Sequence, residues 1–411
     1  MIPVKLKKFL VNLSLILAGL AVALVFLEIS LRFTSYRHLL LRDRHIRHYY
    51  RADAAKGFDI RPNVGKIRTS VDNHAVEYDI WSNELGCFDE PYRGEKDLIL
   101  LVGDSFTHSY APFEDKWGTQ IENLLNYRVL KCGVNGYGTR QELLKAREIM
   151  ARINKSPRLI IVGYFWNDLN DDYAFPSLTV VDGFLVVSDR YKDQKTGRLL
   201  NLAALEKEYT FWDRLAGNYP LGFWEMTNYF LDQHLILVNL FNDALLRLLP
   251  PPRSYTNPLD FLAFSQEPWV EKVWAAHEEN LKAFKKLAAA QGAELLVVLI
   301  PTNTQVYPFL VGERSLDLER PNRILGEFLR QEQIRCLDLL PLFRQYADQS
   351  PRQFLSPDRD LYWRVNSHWS LKGEHLAGLL VSRYILENNL VQVANPGAKL
   401  KNVEEKLNNF H

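Results

Sequence analysis

Five short apolar runs alternate with segments of helical periodicity along most of this 411-residue chain. The apolar runs predict buried strands over residues 97–102, 128–132, 159–165, 294–300 and 334–339. Helices are predicted over residues 139–153, 271–291, 321–332 and 371–387. Because strands that alternate with helices form a parallel sheet covered on both faces, the chain is predicted to have an α/β fold. Ligands of such sheets bind at the carboxyl ends of the strands, so functional residues are expected there.

The chain begins with an apolar stretch that is long enough to cross a membrane. Residues 9–31 contain one ionisable side chain, Glu28, and a bilayer-spanning helix needs about 20 residues. A cleaved signal peptide is the alternative, because residues 21–23 (Ala-Val-Ala) have the small-x-small pattern of a cleavage site. The apolar run continues past that site, so we predict an uncleaved, single-pass membrane anchor over residues 1–36.

Basic residues stand on both sides of this stretch. The lysines before it favour a cytoplasmic N-terminus, whereas the arginines after it favour a cytoplasmic location for the rest of the chain. Contact with anionic headgroups is a second explanation for the arginines. These residues are Lys5, Lys7 and Lys8, then Arg32, Arg37, Arg42, Arg44, Arg47 and Arg51.

Charge and cysteine content exclude several functions. The 50 basic and 49 acidic residues give a net charge of +1, without the basic excess that phosphate binding requires, so no nucleic-acid partner is predicted. Cys87, Cys132 and Cys336 have no CxxC spacing and cannot form a disulfide framework. They are predicted to be buried thiols, and neither a metal nor a cofactor is predicted.

Residues 175–270 interrupt the alternation. A hairpin is predicted over residues 179–187, with its turn at Asp182 and Gly183. The aromatic-rich stretch that follows is interpreted either as a subdomain with its own core or as a lid over the active site. The predicted organisation is an anchor (1–36), a basic juxtamembrane lead-in (37–96), a catalytic domain (97–174 and 271–390), an inserted subdomain (175–270) and a tail (391–411).

Four short motifs lie at predicted strand ends or just before the last predicted helix. They are Gly103-Asp104-Ser105, the glycine turn 133–139, Asn167-Asp168 and Asn366-Ser367-His368. A serine on a tight turn between strand and helix is exposed, with its own N–H near its hydroxyl, which suits a nucleophile that also stabilises an oxyanion. A glycine turn and an asparagine amide can supply further N–H donors, and a histidine can act as the general base.

Two of these motifs have other interpretations. The acidic segment 167–172 could be a solvated helix start or a cation site. The glycine turn 133–139 could be an ordinary turn between a strand and a helix. Thr139 also begins the sequence TRQE, which predicts a capping box with Glu142 at the start of the helix over residues 139–153.

Taken together, the motifs resemble those of the SGNH/GDSL hydrolase superfamily, over roughly residues 97–388 without the insertion. The resemblance implies a three-layer, flavodoxin-like α/β fold. It also implies that Ser105 is the nucleophile, that the Ser105 N–H, Gly136 and Asn167 donate to the oxyanion, and that His368 is the base. Asp104 belongs to the GDS motif. The anchor and the His-Trp-Ser sequence at 368–370 are similar to those of membrane-associated members and of alginate-type O-acetyltransferases.

The chain departs from the family pattern beside the histidine. An aspartate is usual two or three residues before it, where this chain has Asn366 and Val365. Asparagine can orient an imidazole but lacks the charge that stabilises the imidazolium. Three interpretations follow: a Ser-His pair oriented by Asn366 or a backbone carbonyl, an acid supplied by Asp358 or Asp360, or loss of activity with ligand binding retained.

The predicted function is a membrane-anchored serine esterase or O-acyltransferase that acts on acylated carbohydrate or lipid-linked groups. The catalytic domain is predicted to be extracytoplasmic (periplasmic), against the arginine count. The alternative is a catalytically silent glycan-binding or scaffold protein of the cell envelope. Tyr137, Trp166 and Trp369 are interpreted either as stacking surfaces for sugars or as ordinary packing.

Overall fold

The computed structural model describes residues 4–41, 46–71, 76–95, 97–210, 212–213, 220–221, 231, 234–248, 268–311, 316–348, 360–363 and 366–410. The helices and strands in these ranges are α1 (Val4–Leu31), β1 (Tyr50–Asp53), β2 (Gly57–Ile60), β3 (Ile67–Val71), β4 (Val76–Ile80), β5 (Leu98–Gly103), α2 (Ser105–His108), α3 (Trp117–Leu125), β6 (Arg128–Lys131), α4 (Thr139–Ile153), β7 (Leu159–Phe165), α5 (Asp168–Tyr173), β8 (Leu178–Val181), β9 (Phe184–Val187), α6 (Leu202–Glu206), α7 (Ile236–Leu248), α8 (Pro268–Gln291), β10 (Glu294–Ile300), α9 (Asn303–Val306), α10 (Arg320–Gln331), β11 (Arg335–Asp338), α11 (Leu340–Tyr346), α12 (Leu371–Glu387) and α13 (Pro396–Asn408).

Five strands form a parallel sheet in the order β11-β10-β7-β5-β6. Numbered by their sequence within the sheet and read from the β6 edge, this is the 2-1-3-4-5 order of flavodoxin-like folds. The predicted α/β class is therefore confirmed. The chain turns to opposite sides of the sheet after β5 and after β7, so a crevice for ligands is expected where these two neighbouring strands end.

The sheet is buried on both faces, which explains why its strands have continuous apolar sequences. In β5, Leu98, Leu100 and Val102 point into the core formed with α4 and α8, while Ile99 and Leu101 point into the core formed with α3 and α12. All five side chains have no exposed surface. The strand that carries the GDS motif is thus fixed from both sides.

The lead-in from residue 46 to residue 95 packs on the sheet domain. It forms two antiparallel hairpins, β1–β2 and β3–β4, which the sequence analysis did not predict. The Lys145 ammonium in α4 lies 2.7 Å from the Asp59 carboxylate in β2, and both side chains are buried. A buried ion pair requires both partners, because removing one leaves a desolvated charge.

A disulfide joins the lead-in to the sheet. Cys87 and Cys132 are bonded across a separation of 45 residues, so the prediction of buried thiols is wrong for these two cysteines. Cys336 is a free thiol, as expected, but it is half-buried rather than buried. The pairing has no signature in the local spacing, because it depends on the lead-in folding back onto the end of β6.

The chain divides into two compact units. One contains Met1–His45 with Leu221–Pro252, and the other contains Ile46–Pro220 with Arg253–His411. The predicted hairpin is present in the larger unit as β8 and β9, with Asp182 and Gly183 both at positive φ, as a two-residue type I′ turn requires. Most aromatic residues of the predicted insertion lie outside the described ranges, and its predicted bounds stay a prediction.

The N-terminal stretch is one helix, α1. Within it, residues Leu6–Leu31 are long and apolar enough to cross a membrane, and their side chains are almost all exposed. At the other end of the chain, the residues predicted only as a tail form α13. Its Val403 and Leu407 are buried in the core shared by α3 and α12.

Candidate active site

Ser105 lies on the turn that follows β5. It is the first residue of the short helix α2, and the Asp104 carboxylate caps this helix by accepting the Phe106 N–H at 2.9 Å. Gly103 is required here by close packing, because a Cβ at this position would lie 2.8 Å from the Gly163 carbonyl oxygen. A Cβ would also meet the Thr107 hydroxyl of α2, so the glycine lets the turn that presents the serine hydroxyl pack closely on both β7 and α2.

His368 lies on a short antiparallel ladder just before α12. The Trp363 N–H donates to the His368 carbonyl at 2.7 Å, and the Ser370 N–H donates to the Leu361 carbonyl at 3.0 Å. Ser367 has a φ of +66°, which reverses the chain between Asn366 and the histidine. This reversal lets the Asn366 side chain reach the ring two residues further on.

The structure brings Ser105 and His368 together. The distance from Ser105 Oγ to His368 Nε2 is 2.8 Å. On the other side of the ring, Nδ1 lies 3.2 Å from the Asn366 carbonyl and within hydrogen-bond distance of Asn366 Oδ1. Because the backbone carbonyl can only accept, Nδ1 carries the proton and Nε2 is free to accept the serine proton.

The usual aspartate position is therefore filled by an asparagine that contacts the ring. Among the described residues, both hydrogen-bond partners of His368 Nδ1 are oxygens of Asn366. Asp360 is not among these partners. Its backbone carbonyl accepts the Ser370 hydroxyl, and its negative charge contributes to the raised pKa of the Tyr307 hydroxyl. Asp358 and Val365 lie outside the described residues.

The ring of His368 is held between aromatic side chains. Its centroid lies 4.7 Å from that of Phe106 and 4.4 Å from that of Tyr110. His368 is half-buried, and these neighbours remove much of the solvation of its ring. Burial therefore lowers the pKa of His368 to about 4, against a smaller opposing effect of the Asn366 backbone. At neutral pH the imidazole is uncharged, the state that a general base requires.

Asp104 has an unusual environment for a carboxylate. It is fully buried, and burial raises its pKa to about 7, although hydrogen bonds from Phe106, Ser105 and Asn167 act in the opposite direction. Its Oδ2 lies 3.2 Å from Ser105 Oγ, a longer contact than that between Ser105 and His368. Asp104 thus caps helix α2 and contacts the hydroxyl of Ser105, the candidate nucleophile.

Gly136 lies in a turn that packs on the serine helix. The Tyr137 N–H donates to the Val134 carbonyl at 3.2 Å across a turn in which Gly136 has a φ of +74°. The Val134 N–H in turn donates to the carbonyl of Gly103, just before the GDS serine, at 3.0 Å. A positive φ at this turn position favours glycine.

Asn167 lies directly after β7, beside the serine turn. Its amide contacts Asp104, and its Nδ2 lies 3.4 Å from Asp171 Oδ2. Its Oδ1 is buried and has no hydrogen-bond partner among the described residues. Of the predicted site residues, the structure therefore gathers Asp104, Ser105, Asn167, Asn366 and His368 through direct contacts, with Gly136 on the adjoining turn.

The acidic segment after Asn167 is buried rather than solvated. Asp168 and the nearby Glu142 of α4 have no exposed surface, and none of their four carboxylate oxygens has a hydrogen-bond partner in the described part of the chain. Burial, followed by mutual repulsion, raises the pKa of both groups far above the usual range. The interpretation as a solvated helix start is therefore wrong.

Asp172, at the end of this segment, holds α4 in place. It accepts the Thr139 hydroxyl at 2.5 Å and the Arg140 N–H at 3.0 Å, and it lies 2.8 Å from His277 in α8. A carboxylate is favoured at this end of a helix by the free N–H groups there. Local sequence does not indicate these partners, because they lie in two segments, the start of α4 and the middle of α8, that are distant from Asp172 in the chain.

The predicted capping box is wrong by one residue. The cap of α4 is Gly138, whose N–H donates to Gln141 Oε1 at 3.2 Å. Thr139 is already within the helix, and its hydroxyl is occupied by Asp172. Glu142 points instead into the buried acidic group.

Two site neighbours were missed by the sequence analysis. Tyr110 packs on His368, and its hydroxyl lies 3.3 Å from the Asn135 amide beside Gly136. Glu374 in α12 accepts the Ser109 hydroxyl at 2.6 Å and the Trp117 N–H at 2.8 Å, which ties the end of α2 to the start of α3. Local sequence cannot distinguish Glu374 from an exposed helical glutamate.

The three aromatic residues considered for sugar stacking are buried. Trp369 and Tyr137 have no exposed surface, and Trp166 is also buried. The Tyr137 hydroxyl donates to the Phe58 carbonyl at 2.6 Å. They pack in the interior, as the second interpretation predicted.

Solved structures with a similar chain path include esterases and lipolytic proteins. A lipolytic protein of the G-D-S-L family from Desulfitobacterium hafniense has 11% identity and a TM-score of 0.32, over 70% of this chain and 99% of that one. A GDSL-like lipase from Bacteroides thetaiotaomicron has 10% identity and a TM-score of 0.30, over 73% and 92%. An acetyl xylan esterase has 10% identity and a TM-score of 0.35, over 70% and 99%.

Two of these proteins carry the G-D-S-L description that the motifs of this chain resemble. At such identities and TM-scores, the similarities assign no activity to the chain. No protein-family profile matches it, and no curated protein does.

Proposed function

We propose that this protein is a membrane-anchored serine esterase or O-acyltransferase that forms an acyl-serine intermediate. The observation that carries the proposal is the 2.8 Å contact between Ser105 Oγ and a His368 Nε2 whose opposite nitrogen is held by Asn366. A nucleophile, a base and an orienting group in hydrogen-bond contact constitute the arrangement needed for nucleophilic acyl transfer. Asn366, rather than Asp358 or Asp360, is the orienting group in this proposal.

In the first step, Ser105 Oγ attacks the carbonyl carbon of an ester while its proton moves to His368 Nε2. The carbonyl π electrons move to oxygen, and we assign the Ser105 N–H, Gly136 and Asn167 as donors to this oxyanion. One such donor contributes roughly 3–4 kcal/mol of transition-state stabilisation. The C–O bond to the alcohol then breaks, and the proton on Nε2 passes to the leaving oxygen.

The acyl group then leaves the enzyme by the reverse sequence. His368 takes a proton from water or from a sugar hydroxyl, whose oxygen attacks the acyl-serine carbon. Collapse of the intermediate returns the proton to Ser105. Water as the acceptor gives an esterase, and a sugar hydroxyl gives a transferase. We propose acylated carbohydrate or lipid-linked acyl groups as the substrate class, which the anchor would place at a membrane surface.

An extracytoplasmic location for the larger unit is supported by the Cys87–Cys132 disulfide. Disulfides persist in oxidising compartments and are rare in the cytosol. This outweighs the arginines that follow α1, because the positive-inside rule describes a statistical bias. A reporter fused after His411 tests the placement, and a signal from the cytoplasmic side would overturn it.

The test of the activity is substitution of the nucleophile in the full-length protein. Ser105→Ala is expected to abolish hydrolysis of a short-chain acyl ester without changing the melting temperature. Ser156→Ala, which removes an exposed hydroxyl far from the site in sequence, is the matched control and is expected to retain full activity. A Ser105→Ala variant as active as this control would exclude Ser105 as the nucleophile.

A second candidate is a catalytically silent glycan-binding protein of the envelope. Asn366 favours it, because an asparagine lacks the charge that stabilises the imidazolium during acyl transfer. This candidate predicts saturable glycan binding by the wild-type protein without covalent reaction of Ser105 with a fluorophosphonate. Reaction at Ser105 would exclude it.

A further inference from the structure

Helix α7 has an apolar face turned outward. Phe241, Ala244, Leu245 and Leu248 are exposed, Phe241 by 66% and Leu248 by 78%. Their spacing of three, one and three residues places them along one side of the helix. These four residues are called the α7 stripe below.

The other side of α7 is packed within the smaller unit. Ile236 and Asn239 are buried, and residues 242 and 243 are half-buried. A surface helix of a soluble domain normally buries its apolar face and exposes a polar one. In α7 the exposed stripe contains no polar side chain, so water is a poor surrounding for it.

The start of α7 is fixed to the end of α1. The Glu28 carboxylate accepts the N–H groups of Ile236 and Leu237 at 3.1 and 3.0 Å. Arg32, just past the end of α1, donates to the same carboxylate at 3.1 Å and to the His234 carbonyl at 2.5 Å. The first N–H groups of a helix otherwise have no partner. Glu28 therefore sets where α7 begins along α1.

The position of Glu28 fixes the depth of this junction. The 19 residues from Phe9 to Leu27 precede it in α1, and at 1.5 Å each they span about 28 Å. The hydrocarbon layer of a bilayer is about 30 Å thick. Phe33 and Tyr36, just beyond α1, are exposed aromatic residues of the kind found at headgroup level. A bilayer-embedded α1 would therefore hold Glu28, and with it the start of α7, at the membrane–water boundary.

We propose that α7 is a second, interfacial membrane contact whose stripe is covered by lipid at the boundary between headgroups and acyl chains. The stripe belongs to the same unit as the span, and the helix that carries it starts at Glu28, where the span would leave the hydrocarbon. A helix that runs from this point along the membrane surface turns its exposed apolar face toward the same lipid. Interfacial helices of this kind bury their apolar face about 5–10 Å into that boundary. The inference rests on the anchoring part of the proposed function, namely that α1 is embedded in a bilayer.

The experiment is site-directed spin labelling of the full chain in phosphatidylcholine–phosphatidylglycerol liposomes. Cys336→Ser removes the free thiol, and single labels are introduced by Phe241→Cys, Leu245→Cys and Leu248→Cys. Val22→Cys in α1 reports on the anchor, and Lys195→Cys in an exposed loop reports on water. Collision rates are measured with oxygen, which concentrates in lipid, and with a nickel chelate, which stays in water. Because the five labelled side chains are exposed, their substitutions are expected to leave the melting temperature of the Cys336→Ser protein unchanged.

The expected result is that the three stripe labels collide mainly with oxygen, at a depth no greater than that of the Val22 label, which lies about 9 Å below Glu28 along α1. The Lys195 label shows the opposite preference. Stripe labels in water with the Val22 label in lipid would overturn the α7 proposal alone, whereas a Val22 label in water would overturn the anchor itself.

Two further outcomes would also overturn the proposal. Spin–spin broadening between stripe labels of different molecules would mean that a second copy of the chain covers the stripe. Protection of the stripe labels from both reagents, without broadening, would mean that protein covers it instead of lipid.

Discussion

Asn366→Asp is the substitution that tests the orienting role of residue 366 most sharply. In the wild type, His368 Nδ1 faces an uncharged amide and a backbone carbonyl, and burial holds the pKa of the ring at about 4. An aspartate in the same rotamer would place a negative charge against Nδ1–H. Opposite charge favours the protonated imidazole, so the pKa of His368 is expected to rise.

The size of the effect follows from that contact. An opposite charge at this range shifts a pKa by about 1–3 units, and each unit corresponds to about 1.4 kcal/mol. Because the imidazolium forms in the transition state, kcat/KM on the alkaline plateau is expected to rise about 10- to 1000-fold. The acid limb of the pH profile is expected to move upward from about pH 4 by the same 1–3 units. The gain is therefore large at pH 8 and smaller at pH 5.

The assay is kcat/KM for a short-chain acyl ester from pH 3 to pH 9, with full-length protein in detergent micelles. Asn201→Asp is the matched control, since Asn201 is an exposed helix cap that aspartate can replace; its profile should match the wild type. An Asn366→Asp profile that also matched the wild type would refute the orienting role of residue 366.

Three other perturbations follow from the packing around the site. Burial raises the pKa of Glu374 to about 8. Between about pH 4.5 and 8 the folded protein therefore keeps this proton while the unfolded chain loses it. As a result, the free energy of unfolding falls as pH rises through that range. Glu374→Gln is expected to remove this fall in the free energy of unfolding, which is at most about 1.4 kcal/mol per pH unit. Urea unfolding at pH 5 and pH 8 measures it, and a variant with the same pH dependence as the wild type would contradict the prediction. Replacing Cys87 and Cys132 together by serine is expected to lower the free energy of unfolding of the larger unit by about 2–4 kcal/mol. The wild type should likewise be less stable under reducing than under oxidising conditions, and equal stability in the two would argue against the disulfide. In Gly133→Ala the new Cβ would lie 2.4 Å from the backbone nitrogen of His108. The variant is therefore expected to lose about 1–3 kcal/mol of unfolding free energy and to have a lower kcat/KM. Wild-type values of both quantities would be inconsistent with this packing.

The sheet and its motifs were predictable because they depend on local patterns. Buried parallel strands are continuous apolar runs, and each predicted strand begins and ends within about two residues of the observed one. The motifs at strand ends then follow from topology, since parallel strands place their carboxyl ends at one edge. Ser105 and His368 are 263 residues apart in sequence, yet their meeting could be anticipated from chain order.

What escaped prediction depends on long-range contacts. The Cys87–Cys132 bond and the Glu374 contacts join segments far apart in the chain, and neither leaves a periodic signal. The capping box at Thr139 failed because Asp172, 33 residues later, takes over the threonine hydroxyl. The lead-in hairpins could not be predicted because their strands are only four or five residues long and each contains charged side chains, so no continuous apolar run marks them.

The most direct test of the proposed covalent chemistry is the site of reaction with a fluorophosphonate, located by peptide mass spectrometry on the full-length protein. The geometry predicts a single modified serine, Ser105, and a much slower reaction in His368→Ala. A label on another serine, no label at all, or an equal rate in the His368→Ala variant would contradict the assignment of the nucleophile and its base.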